Sequence, residues 1–167
     1  PAKQGTGFFI STTGDVITNR HVVVGAAGAK IKTVSGKIYE VKGVVAEDKD
    51  SDIVRLKTAV PRGASKPLPL SSSSPQAGQR IIVIGNPLGL EQTVSDGIIS
   101  AIRETSRFGT VIQITAPISQ GSSGSPVLDS KGDVIGVATL QIIDGQNLNF
   151  AIPVKKILNL NPSTGHE

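Results

Sequence analysis

The chain has 167 residues, of which 38% are hydrophobic and 18% charged, with a formal charge of +4 and no cysteine. That size and balance suit a globule of one domain or two small lobes sharing an interface, and do not suit a disordered chain. The lack of cysteine excludes disulfides and cysteine-ligated metal sites, no apolar run is long enough to span a membrane, and five aromatics beside scattered lysines match single-strand nucleic-acid binding poorly.

The chain opens abruptly at Pro1-Ala2-Lys3-Gln4-Gly5, close to a first strand. Nothing there looks like a signal peptide, and the start reads as that of an excised domain. Nineteen glycines and ten prolines at short spacings predict many turns and an all-β chain. Phe8 to Ile10 and Val16 to Thr18 flank Ser11 to Asp15, a hairpin signal. His21-Val22-Val23-Val24-Gly25 follows directly. Ile31 to Val34 and Ile38 to Val45 predict two strands joined by Ser35-Gly36-Lys37. Asp48 to Ser51 is a polar loop, and Ile53 to Leu56 another strand.

From Thr58 to Gly78 the composition shifts. Pro61, Pro67, Pro69, Pro75 and four consecutive serines, Ser71 to Ser74, predict an extended linker. A lobe of residues 1–70 is expected before the boundary and one of residues 71–167 after it. The second strand set comprises Arg80 to Ile84, Thr93 to Ile102, Val111 to Thr115, Pro126 to Leu128, Val134 to Leu140 and Asn149 to Ile152. Val154 to Leu158 is apolar at i, i+3 and i+4, which predicts a short terminal helix.

The run Gln120-Gly121-Ser122-Ser123-Gly124-Ser125-Pro126 cannot build a core. Its small residues suit a sharp turn that presents amide N–H groups and a hydroxyl. A serine there becomes a nucleophile only if a histidine and a carboxylate activate it. His21 stands at a strand end, and the only other histidine, His166, lies in the tail. Asp48, Asp50 and Asp52 are the candidate carboxylates near a strand entrance. The order His21, Asp52, Ser123 crosses the predicted lobe boundary, so the three would meet in the cleft. The Gly-x-Ser-x-Gly elbow of another hydrolase class fits badly, because position 125 is serine and no helix pattern follows.

These residues resemble a known family. Gly5-Thr6-Gly7-Phe8-Phe9-Ile10 and Gly14-Asp15-Val16-Ile17-Thr18-Asn19-Arg20-His21-Val22-Val23 look like the opening of trypsin-fold serine proteases of the HtrA/Deg type. Ser51-Asp52-Ile53-Val54 resembles their aspartate segment. Ile84-Gly85-Asn86-Pro87-Leu88-Gly89 and Thr93 to Ser100 resemble the entry to their second barrel. Ile118 to Pro126 resembles their nucleophile loop, and Asn149-Phe150-Ala151-Ile152-Pro153 their closing strand. The resemblance runs from about residue 5 to residue 158.

The resemblance implies two six-stranded antiparallel β-barrels packed face to face, with a short C-terminal helix; the PDZ domain common after such protease domains is not expected in this segment, a departure from the family. It implies His21 as general base, Asp52 rather than Asp48 or Asp50 as its partner, and Ser123 as nucleophile. The N–H groups of Gly121 and Ser123 would form the oxyanion hole. Ala116, Ser119, Thr139, Leu140, Asn149, Phe150 and Ala151 would form the pocket for the residue before the scissile bond. None of them is acidic, so small or medium aliphatic residues are expected there. Asp144 is the only acid nearby. The family usually carries Gly-Asn-Ser-Gly-Gly; here Ser122 replaces the asparagine and Ser125 the second glycine, and each adds a Cβ to the loop.

Two functions follow. One is a serine endopeptidase that forms an acyl-enzyme on unfolded or extended polypeptides, with no metal and no cofactor. The other is a catalytically silent trypsin-fold module that binds extended peptide along a strand edge. Neither needs nucleic acid or membrane insertion of this segment. Oligomerisation and an extracytoplasmic setting are expectations from the resemblance alone.

Overall fold

A computed structural model describes residues 4–25, 28–86, 92–143 and 146–160. The first hairpin forms as its turn residues predict: β1 (Phe8–Phe9) pairs antiparallel with β2 (Asp15–Asn19). Ile10 N–H closes the turn on Asp15 O at 3.0 Å. After β2 the chain turns into a four-residue helix, α1 (Arg20–Val23), where the sequence pointed only to a strand end. β3 (Lys30–Lys32), β4 (Ile38–Asp48) and β5 (Ile53–Thr58) complete an open sheet ordered β1-β2-β5-β4-β3.

The described residues of the N-terminal half thus give five strands in an open sheet, where six in a barrel were expected. The linker supplies no sixth strand. Pro61, Pro67 and Pro69 have no N–H to offer a ladder. The linker is held by single contacts instead. Leu68 N–H donates to Phe9 O at 3.0 Å, and residues 69–71 exchange two bonds of 2.8 Å with Val134.

The second half closes fully. Its strands are β6 (Arg80–Gly85), β7 (Thr93–Thr105), β8 (Gly109–Ile114), β9 (Pro126–Leu128), β10 (Val134–Ile143) and β11 (Gln146–Pro153). They form a barrel in the order β10-β11-β8-β7-β6-β9, and α2 (Val154–Leu158) follows. Alternation sets its faces: in β6, Ile81 and Val83 are buried while Arg80 and Ile82 face out. Closure leaves this half without free strand edges.

Two cores result. One fills the barrel with Ile81, Val83, Ile99, Ile112, Val127 and Ile135. The other joins the halves: Phe8, Ile17 and Ile53 of the open sheet pack with Phe108, Val137, Phe150 and Ile157 of the barrel side. Each such side chain contributes about 1.5–3 kcal/mol on burial. Among the described residues no helix is long and apolar enough to cross a membrane.

Candidate active site

α1 places His21 two residues past the end of β2, with its side chain 43% exposed. The residue that meets it is Asp52. Its backbone lies in the left-handed region at φ 59°, which aspartate tolerates better than most non-glycine residues. That kink turns both ends of Asp52 towards residues 19–21. The carbonyl accepts from Arg20 N–H at 2.9 Å and Asn19 Nδ2 at 3.1 Å. The carboxylate accepts His21 N–H on Oδ1 at 2.8 Å and a short bond from His21 Nδ1 on Oδ2. Because a carboxylate only accepts, Nδ1 supplies the hydrogen of that bond. Asp48 serves the loop instead, accepting Asp50 N–H at 3.1 Å and Ser51 Oγ at 2.7 Å.

The expected nucleophile loop is a 3-10 turn at Gln120–Ser122 leading into β9. Ser123 is 2% exposed. Gly124 has φ 95°, and a Cβ there would lie 1.9 Å from Thr6 O, so only glycine fits. Ser125, the second departure from the family pattern, is buried without left-handed backbone. Its Oγ donates to Ser122 O at 2.5 Å, and its N–H reaches the same carbonyl at 3.0 Å. Ser122 Oγ lies 3.1 Å from Ser119 Oγ. The extra side chains fit because residue 85 opposite is glycine: a Cβ on Gly85 would come within 2.9 Å of Ser125 Oγ and 3.0 Å of Ser122 Oγ. The two serines therefore brace the loop.

The segment ahead of β1 joins the two sides. Gly5 lies between Val22, next to His21, and Ser123: a Cβ there would sit 2.8 Å from Val22 Cγ2 and 3.2 Å from Ser123 O. Thr6 follows. Its N–H donates to Ser123 O at 2.9 Å, its Oγ1 donates to Gly121 O at 2.8 Å, and its carbonyl accepts Thr18 Oγ1 at 2.6 Å. Asn86 N–H donates to Thr6 Oγ1 at 3.1 Å. Neither Gly5 nor Thr6 stood out as a site residue in the sequence. The available signal was a hydroxyl between two glycines in a segment that builds no core.

Of the two expected oxyanion donors, the Ser123 N–H is engaged here, donating to Gln120 O at 3.3 Å across the 3-10 turn. That length marks a weak bond. The neighbouring peptides are held more firmly. Ser122 N–H donates to Ser119 O at 3.0 Å, and Gly124 N–H to Ala138 O at 2.8 Å.

The expected pocket residues separate by burial. Ala116, Thr139, Phe150 and Ala151 are buried. Phe150 packs against Phe108, ring centroids 5.5 Å apart and planes tilted by 54°, in the core between the halves, so it packs as a core residue. Leu140 and Asn149 are partly exposed partners across β10 and β11, and Ser119 is exposed. None of the seven is charged. Asp144 and His166 lie outside the described residues. Among the described residues no three His, Asp or Glu side chains gather as a metal ligand set.

Residues 5–137 match the model of the trypsin-like peptidase domain family. The putative serine protease HhoB of Synechocystis is 42% identical over 173 residues, covering 96% of this chain and 40% of HhoB. The crystal structure of a serine endoprotease from Yersinia pestis superposes with a TM-score of 0.78 at 32% identity, over 92% of this chain and 54% of that one. The HtrA-type protease AlgW, solved with a decapeptide, gives 0.80 at 31% identity, over 92% of this chain and 49% of its own. The chain thus spans between two fifths and about half of these three chains.

Proposed function

Because this chain belongs to the trypsin-like peptidase family, with HtrA-type serine proteases among its relatives, we propose that it is a serine endopeptidase domain in which His21, Asp52 and Ser123 form the triad. The observation that carries the residue assignment is the double contact of Asp52 with His21, backbone and ring, on the helix that abuts the Ser123 loop across Gly5. A lobe division near residue 70 fits this reading, since Leu68 bonds to β1 and residues 69–71 bond to Val134 of the barrel.

His21 Nε2 takes the proton of Ser123 Oγ as Oγ attacks the scissile carbonyl carbon. Asp52 holds the ring in the tautomer that permits this and stabilises the imidazolium formed. The C–N bond then breaks, and the leaving nitrogen takes the proton from His21. Water repeats the sequence on the acyl-enzyme and regenerates Ser123. The tetrahedral oxygen needs the N–H groups of Gly121 and Ser123. The Gln120–Gly121 peptide must therefore turn over, releasing Ser123 N–H and aiming Gly121 N–H at the same point. One weak bond opposes this turn. Each donor is worth roughly 10²–10³ in kcat.

Substrates are polypeptides in extended form. AlgW was solved with a decapeptide, and here Leu140 and Asn149 offer a partly exposed strand pair beside the loop. An uncharged pocket selects small or medium aliphatic residues before the scissile bond.

A fluorophosphonate probe followed by peptide mapping tests the assignment. Modification at Ser123 that disappears in His21→Ala is the expected result. Modification at another serine would overturn it. A folded chain that stays unlabelled would favour the silent peptide-binding module, in line with the engaged Ser123 N–H.

A further inference from the structure

We propose that Thr6 is a positioning residue for the nucleophile loop, its hydroxyl clamping the Gly121 carbonyl so that the Gln120–Gly121 peptide alone turns over to build the oxyanion hole. The inference rests on the triad reading above and goes beyond it to a residue that touches no substrate.

The loop's peptide groups are planar units, so a held carbonyl also fixes the N–H on its far side. The 121–122 peptide is held at both ends: Gly121 O accepts Thr6 Oγ1 at 2.8 Å, and Ser122 N–H donates to Ser119 O at 3.0 Å. In the 122–123 peptide, Ser122 O is held by the Ser125 hydroxyl at 2.5 Å and the Ser125 N–H at 3.0 Å. The 123–124 peptide is held through Ser123 O by Thr6 N–H at 2.9 Å and through Gly124 N–H by Ala138 O at 2.8 Å. The 120–121 peptide has only the 3.3 Å bond from Ser123 N–H to Gln120 O. Rotation is therefore confined to this one unit. Without the clamp on Gly121 O, the 121–122 peptide could rotate with it, and Gly121 N–H would lose its aim.

Thr6 suits the task because a hydroxyl donates and accepts at once. It donates to Gly121 O while accepting Asn86 N–H at 3.1 Å. Its own carbonyl is fixed by Thr18 Oγ1 at 2.6 Å, and Thr18 lies in β2, three residues before His21. One residue thus references the nucleophile loop both to the end of β6 and to the strand that leads to the base.

The test compares Thr6→Val, which keeps the shape and removes the hydroxyl, with Thr6→Ser, which keeps the hydroxyl. Turnover of an uncharged extended peptide is expected to fall about tenfold in kcat for T6V, the effect of losing one hydrogen bond, with KM within about twofold. T6S is expected to return to within about threefold of the parent. If T6V does not fold, Thr6→Ala removes the same hydroxyl with less steric demand. Amide exchange at Ser122, read in the same samples, checks the clamp independently of turnover. It should quicken about tenfold in T6V and not in T6S. Unchanged exchange and kcat in T6V, or equal losses in T6V and T6S, would overturn the proposal. A parent that fails to label at Ser123 while T6V quickens exchange would overturn the triad reading and leave the clamp standing.

Discussion

His21 and Asp52 meet through two hydrogen bonds to one carboxylate: the backbone N–H of His21 holds Oδ1 at 2.8 Å, and the ring Nδ1 holds Oδ2. The first fixes where the carboxylate lies, and the second uses that position to orient the imidazole. Asp52→Asn should keep the first contact, since the amide oxygen still accepts, and spoil the second, since the amide nitrogen donates. Loss of kcat by about 10³–10⁴-fold with little change in thermal midpoint is expected. An equal loss in Asp48→Asn would refute the choice of carboxylate.

Gly124 is constrained by conformation and by space. Gly124→Ala would put a Cβ 1.9 Å from Thr6 O at φ 95°. Destabilisation by about 2 kcal/mol or more in urea unfolding is expected, together with loss of turnover. A variant as stable and active as the parent would show that this segment does not hold the loop.

Ser125→Gly restores the residue usual in the family. It removes a buried hydroxyl bonded to Ser122 O at 2.5 Å and adds backbone freedom. A loss of about 1–2 kcal/mol in stability is expected from the bond and the glycine together. Stability equal to the parent's in denaturant titration would mean that the hydroxyl braces nothing.

The strand sets were legible because alternation and turn residues act locally, whereas the expectation that His21 meets Asp52 came from motif resemblance. Burial of Ile81 and Val83 in β6 follows from its alternation. Helix α1 was not legible: four residues with two valines carry no period, and the bonds from residues 19–21 to Asp52 impose their geometry from elsewhere in the chain. The engaged Ser123 N–H was also hidden, since side-chain identity does not encode which way a peptide plane faces. Phe150 read equally as pocket wall and core, and its contact with Phe108 comes from the packing of the halves. Thr6 was missed because its role lies in four hydrogen bonds, three of them to residues about eighty positions or more away.

The junction between open sheet and closed barrel has a consequence for heat. The proposed base and its carboxylate stand on the sheet with free edges, and the nucleophile stands on the barrel, whose strands are all paired. Of the twelve buried side chains in the apolar cluster between them, the sheet contributes Phe8, Ile17 and Ile53. An open sheet tied by so few of its own buried side chains is expected to open locally before a closed barrel does. Warming should thus silence hydrolysis while the barrel still holds its shape, and cooling should restore it by simple re-docking, so that the domain behaves as a thermal cut-out for its own activity.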